Sequence, residues 1–510
     1  MTTPTRATGA ATAQRPEDEN LGLGANLAYG FQHVLTMYGG IIAVPLIIGE
    51  AAGLPANETG LLITACLFMG GLATLLQTLG VPFFGCRLPL VQGVSFSGVA
   101  TMIAILGTGG GLPAVFGAVI VASLLGLLIT PVFSRVIRFF PPLVTGCVIT
   151  TIGLTLMPVA AFWAMGGNPS APDFGSVGNI SLAAMTLLIV LLLSKLGSAT
   201  ISRLSILLAI IIGTIIAVAM GHADFSAVSE GEVFALPSLF HFGMPTFQTA
   251  AIISMFIVII VTLVETSADI LAVGDIIETK VDARRLGDGL RADMLSSLIA
   301  PVFGSFTQSA FAQNVGLVAV TGVKSRYVVA FGGLILIALG LLPIMGRLVA
   351  AVPPAVLGGA GMVLFGTVAA SGIRTLAKVN YENNMNLIIV ATAIGAGMIP
   401  IVAPKFYEHF PTWFATIFHS GISSAALVAI VLNLLFNHFT LGNPDQPSVF
   451  AAGGGRYLRV SDVANLNEGD YVENGKVMDK DGKEIPIIAD EHSAPEQAPV
   501  LHTKPSLSST

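Results

Sequence analysis

From about residue 26 to residue 440 the chain passes through one apolar run after another, with hardly a charge inside the runs. Each run of about 17–25 such residues is long enough to cross the hydrocarbon as a helix. That pattern excludes most soluble architectures. Over all 510 residues, 54% are apolar and 10% charged, whereas soluble domains carry roughly 25% charged residues. The reading is a polytopic helical membrane protein.

Spans are expected near 26–49, 60–80, 89–107, 112–134, 141–163, 179–197, 204–221, 249–273, 290–304, 308–321, 326–346, 353–372, 385–403 and 421–439, fourteen in all. With the N-terminus inside, the loops on the cytoplasmic side hold Arg87, Arg135, Arg138, Lys195, Arg203, Lys280, Arg284, Arg285, Arg291, Lys324, Arg326, Arg374 and Lys378. The outer loops hold only Arg347 and Lys405, as the positive-inside rule requires. An even count then puts both termini in the cytoplasm.

The opening "MTTPTRATGAATAQRPEDEN" has no apolar h-region, so it reads as a short disordered tail and not as a signal peptide. Residues 441–510 form a second polar tail, in which "KVMDKDGKEIPII" is compatible with a small hairpin. Cys66, Cys86 and Cys147 have neither disulfide nor metal-ligand spacing. "GGGR" lacks the Lys-Ser/Thr of a phosphate loop, so ATP-driven pumping is not expected.

"PVFSRVIRFFPPLVTG" (131–146) aligns without gaps on "PIMGRLVAAVPPAVLG" (343–358): Pro131 with Pro343, Arg135 with Arg347, both Pro-Pro pairs, and Gly146 with Gly358. Seven spans separate the copies. An odd number turns them in opposite directions across the membrane, so the chain reads as two inverted halves of seven spans. Inverted repeats are the architecture of secondary transporters, whose paired discontinuous spans meet at a midplane site; channels also carry them. The candidate discontinuous spans are "CRLPLVQGVSFSGVATMIAILGTGG" (86–110) and "PVFGSFTQSAFAQNVGLVAVTG" (301–322). In each, a polar stretch precedes a short apolar run, which predicts an extended segment leading into a half-helix with free backbone N–H groups.

Few ionisable residues lie at membrane depth. Glu265 and Asp269 stand four apart on one helix face of "IISMFIVIIVTLVETSADILAVGD". Buried charge is costly and usually faces a cavity; the alternative is a helix that ends early, with both acids among headgroups. Asp293 precedes a short span, where it either acts chemically or complements a helix dipole. His33 sits in the first span, as a site residue or simply a packed one. Phe96, between Ser95 and Ser97, is a stacking plate or a core residue. Gln313 and Asn314 sit at the second break. Carboxylates with amides suit a neutral planar ligand rich in N–H and C=O groups. No span centre holds the Arg or Lys that an inorganic anion would call for, and metals would favour more clustered carboxylates. A carboxylate held out of water also binds and releases a proton at a usable pH.

"QNVGLVAVTG" (313–322) resembles the signature of the nucleobase–ascorbate transporters, Gln/Glu/Pro-Asn-x-Gly-x4-Thr followed by Arg, Lys or Gly, at Gln313, Asn314, Gly316, Thr321 and Gly322. "FQHVLTMYGG", "RLPLVQGVSFSG" and "ETSADILAVGD" extend the likeness over roughly residues 26–440. The resemblance implies an all-α fold of fourteen spans in seven-plus-seven inverted halves, with short antiparallel strands in spans three and ten. It implies a core domain (26–134 and 249–346) and a gate domain (135–222 and 347–440), between tails at 1–25 and 441–510. Carried over by residue, Glu265 and Gln313 hold the base edge, Phe96 and the backbone near Ser95 line the pocket, and Asn314 supports it. His33 influences affinity, and Glu265, Asp269 and Asp293 are candidates for proton coupling. The expected activity is proton-coupled import of purine bases, xanthine or uric acid, across the plasma membrane by a homodimer. No cofactor beyond the coupling H+ and no nucleic-acid partner are expected. A uracil permease of the same fold is the alternative, followed by an anion exchanger or channel.

Overall fold

A computed structural model describes residues 15–133, 141–223, 225–229, 232–381 and 384–437, together with short strands between 458 and 488. Helices of nine or more residues among them are numbered in chain order. They are α1 (Leu23–Ala51), α2 (Ala56–Leu79), α3 (Val99–Gly107), α4 (Gly111–Ile129), α5 (Pro142–Ala164), α6 (Val177–Leu196) and α7 (Ser205–Ala219). The second half contributes α8 (Thr249–Ile276), α9 (Ala283–Ile299), α10 (Ala312–Thr321), α11 (Arg326–Gly340), α12 (Pro354–Leu376), α13 (Asn384–Val402) and α14 (Gly421–Asn437).

Eight of these, α1, α2, α4, α5, α6, α8, α12 and α13, are long and apolar enough to cross a bilayer. Helix α11 and the short helix Pro343–Ala350 meet at an 80° bend and together make a ninth such element. Helices α3, α7 and α14 are apolar but shorter. Length and composition thus identify fewer crossings than the fourteen expected. The expected ninth span also starts later in sequence than its helix does: α9 begins at Ala283, capped by the Asp282 side chain on the Arg285 N–H. It therefore takes in Arg284 and Arg285, which precede the expected span of 290–304.

The Pro-Pro pairs of the repeat become the starts of α5 and α12, where Pro fits because the first-turn N–H groups have no partner to lose. These two helices pack on each other most extensively of any pair. A Cβ added to Gly146 would fall 2.7 Å from Leu376, and one added to Gly358 would fall 2.3 Å from the Ala164 nitrogen. These two contacts are related by the same sequence offset that matches Pro131 to Pro343, so each half supplies one small residue to the same close crossing. The halves are therefore inverted copies in space as well as in sequence.

Around that pair gather α6, α7, α13 and α14. A second group packs α11 on α1 and α2, and α8 and α9 on α4. The groups meet where α8 touches α14 and the short helix Thr412–Phe418, and where α1 touches α7.

Residues 1–14 of the expected N-terminal tail lie outside the described residues, as do Arg135 and Arg138. From Arg15 onward the segment is held: Glu17 is 1% exposed and pairs with Arg285 at 2.6 Å, and Asp18 pairs with Arg326 at 2.7 Å. Most of 441–510 likewise lies outside the described residues. Within it, strands Tyr471–Glu473, Lys476–Met478 and Glu484–Ile485 pair antiparallel, so the expected hairpin is present.

Candidate functional site

The two discontinuous spans each place a short strand against the other. Strand β1 (Gln92–Val94) pairs antiparallel with β2 (Gln308–Ala310), Gln92 opposite Ala310 and Val94 opposite Gln308. The pairing runs on at both ends: Phe311 N–H donates to Val91 O (3.1 Å) and Ser95 N–H to Thr307 O (2.8 Å). Backbone at this depth cannot leave polar groups without partners. The outer edges are met by hydroxyls. Gln92 N–H donates to Thr74 Oγ1 at 2.9 Å, and Gln308 N–H donates to Ser297 Oγ at 2.8 Å. Thr74 lies on α2 and Ser297 on α9, the second helix of each half, so the inverted repeat extends to this anchoring. Gly93 is required where it sits, because a Cβ there would stand 2.6 Å from the Phe311 ring.

Each strand ends in a helix start, as the sequence predicts. The Ser95 side chain accepts from Ser97 N–H and leads into α3. Phe96 is half-buried, with its ring edge-on to Phe365 of α12 at 6.1 Å between centroids. Helix α10 begins without a side-chain cap, and Gln313 in its first turn is exposed. Its neighbour Asn314 is 1% exposed and donates to His33 O (2.9 Å), with His33 Nδ1 3.1 Å from the same amide nitrogen. His33 and Asn314 therefore form a buried support that ties α10 to α1, beneath a Gln313 that faces outward.

Helix α8 lies across both breaks. Thr262 Oγ1 is 2.8 Å from Ser97 Oγ, and Ala310 N–H donates to Thr266 Oγ1 at 3.4 Å. At about 100° per residue, Thr262, Glu265, Thr266 and Asp269 fall within one quarter to one third of the helix circumference. In sequence Glu265 stands between Thr262, fixed to the turn after β1, and Thr266, fixed to β2. Glu265 and Asp269 are both half-buried, and neither makes a hydrogen bond with another described residue. Their oxygens, and the Gln313 amide, are thus available to something else.

Asp293 is placed differently. It is 1% exposed and accepts from Gln77 Nε2 at 3.1 Å, while Cys86 N–H donates to Gln77 Oε1 at 3.1 Å. Gln77 is one turn beyond Thr74, and Asp293 one turn before Ser297, so this pair lies beside the hydroxyls that anchor the strands, and the Asp293 carboxyl also meets the Thr266 hydroxyl of α8. Asp269 lies one turn beyond Glu265 on the same helix.

The sequence alone did not mark Thr74, Gln77, Thr262, Thr266, Ser297 or Phe365. The Thr262/Thr266 pair was detectable, since it brackets Glu265 on one face. Among the described residues no cluster of His, Cys, Asp or Glu could hold a metal. A cavity of about 700 Å³ lined by Asn57, His241 and Arg347 lies at the start of α2 and includes none of the predicted site residues.

The sequence model of the Permease family matches residues 24–406, a stretch that takes in both strands, all of α8 and the 313–322 motif. The chain belongs to the nucleobase–ascorbate transporter family. It is 42% identical to the xanthine permease of Bacillus subtilis (strain 168) over 419 residues, 82% of this chain and 95% of that one. It is 40% identical to the uric acid transporter UacT of Escherichia coli (strain K12) over 431 residues, 83% of this chain and 89% of that one. Among solved structures it is similar to the transmembrane domain of a cyanobacterium bicarbonate transporter, BicA, with TM-score 0.50 and 16% identity over 81% of this chain and 98% of that one. It is also similar to the murine Solute Carrier 26 family member A9 anion transporter in the inward-facing state, with TM-score 0.55 and 13% identity over 85% of this chain and 73% of that one. At those identities the likeness is one of fold. This member of the family is a multi-pass membrane protein built on inverted repeats.

Proposed function

We propose that the chain is a purine permease of the plasma membrane, importing xanthine, uric acid or both together with protons. The observation that carries the reading is the strand pair, where two hydroxyls of α8 one turn apart are hydrogen-bonded, one to Ser97 just after β1 and one to Ala310 of β2, with Glu265 between them and without a hydrogen-bond partner among the described residues. A purine lying at the helix starts would offer its N–H groups to the Glu265 carboxylate and its amide edge to Gln313, which donates and accepts side by side. Phe96, braced edge-on by Phe365, would lie on the ring face. The backbone beside Ser95 lines the pocket, while His33 and Asn314 hold α10 in place. Glu265, Asp269 and Asp293 carry the coupling proton among them. The relatives named for xanthine and uric acid support a purine as substrate.

The test is uptake of radiolabelled xanthine by cells expressing the chain, with and without a proton uncoupler, against unlabelled urate, uracil and ascorbate. Uptake that collapses with the uncoupler and is blocked by xanthine or urate is the expected result. Inhibition chiefly by uracil would keep the fold and overturn the substrate. Uptake indifferent to the uncoupler would overturn the coupling.

A further inference from the structure

At the end of α1 remote from the N-terminus, the Trp163 Nε1–H donates to Glu50 Oε2. Glu50 lies in the last turn of α1 and Trp163 in the last turn of α5, so the bond joins the two helix groups. Trp163 is 3% exposed. Glu50 is wrapped by the turn after α5: at Gly167, whose φ is +73°, a Cβ would stand 3.2 Å from Glu50 Oε1 and 2.8 Å from Pro354. Toward the membrane interior the same faces meet through apolar side chains, with Leu46, Trp163, Ile210 and Leu357 around a void of only about 20 Å³. The Trp163 ring rests on Phe365 at 6.2 Å between centroids, and Phe365 rests on Phe96 at 6.1 Å. A continuous line of contacts therefore runs from Glu50 through Trp163 and Phe365 to Phe96.

We propose that Glu50 and Trp163 form a clasp that closes this end of the protein, and that Trp163 is a positioning residue setting the Phe365 wall opposite Phe96. The inference rests on the transporter reading above. When α1 moves against α5, the indole loses its carboxylate and the carboxylate loses the indole donor. The same displacement withdraws the support behind Phe365. Closure at this end and the shape of the substrate site are thus linked through two aromatic rings.

A reporter thiol tests this without reference to substrate. Leu46 lies beneath the clasp and is 8% exposed, while the native Cys66, Cys86 and Cys147 are buried and are retained. In a Leu46→Cys background, labelling by a membrane-impermeant maleimide applied to intact cells reports opening at this end. Glu50→Ala should speed labelling by about tenfold, the scale set by losing a hydrogen bond to a charged group. Glu50→Gln, whose amide oxygen still accepts from the indole, should stay close to the parent. Trp163→Phe keeps a ring on Phe365 but has no N–H to donate; it should speed labelling as Glu50→Ala does and serves if that variant does not reach the membrane. In uptake, Glu50→Ala and Trp163→Phe should also raise KM, whereas Glu50→Gln should not. Labelling unchanged in both Glu50→Ala and Trp163→Phe would overturn the clasp. Faster labelling by the variants of a chain that carries no purine would leave the clasp standing and overturn the transport reading.

Discussion

Replacing Ser297 by Ala removes one oxygen and adds no bulk. That oxygen accepts the Gln308 N–H at 2.8 Å and lies 3.4 Å from Gln308 O, and neither residue is exposed to solvent. The variant leaves a buried N–H without an acceptor at a depth where water does not replace it, a loss of about 1–3 kcal/mol. The next residues of the strand, Ser309 and Ala310, pair with β1, and α10 with Gln313 starts two residues beyond β2. If the loss is taken up by displacement of β2, apparent KM for purine should rise between about fivefold and a hundredfold. If it is taken up by the fold as a whole, KM should hold while thermal stability of the detergent-purified protein falls. Concentration-dependent uptake normalised to surface expression, read beside a thermal-melting curve, separates the two. Ser297→Thr restores a hydroxyl and should recover most of the loss, and Thr74→Val should act on β1 as Ser297→Ala does on β2. A Ser297→Ala variant with parental KM and parental melting would refute the idea that hydroxyls from the second helix of each half set the strands.

Two further outcomes follow from other contacts. Glu265→Gln keeps the size of the side chain but replaces one acceptor oxygen with a donor NH2 and cannot carry a proton; it should abolish uptake while the protein still reaches the membrane, and parental uptake would remove Glu265 from the site. Gly372→Ala places a Cβ 2.2 Å from the Thr150 nitrogen and should destabilise the α5–α12 crossing by about 1–3 kcal/mol or more, whereas Gly366→Ala, whose nearest neighbour is the flexible end of Met157 at 3.6 Å, should melt like the parent.

Membrane class, the repeat and the two discontinuous spans were all legible in the chain, because each depends on residues close together in sequence. Runs without charge specify helices that can live in lipid, and Pro-Pro and Gly at a matching offset mark corresponding helices of the two halves. A polar stretch ahead of a short apolar run marks where a helix must break. The four-residue spacing of Glu265 and Asp269 likewise puts both acids on one face by helical periodicity alone.

What only the tertiary structure decided is how residues hundreds of positions apart divide the work. Gln313 and Asn314 are neighbours in sequence, yet one is exposed and the other buried on His33, because successive residues of a helix point about 100° apart. Asp293 resembles the α8 acids in sequence, but it is buried and held by Gln77, whose distance along the chain hides the pairing. Glu50 reads in one dimension as an ordinary charge at the end of a span, and nothing near it in the chain points to Trp163. Hydropathy and punctuation are local properties and survive in one dimension. The partner of a buried polar group is set by how helices from opposite halves cross, and so becomes visible only once the chain has folded.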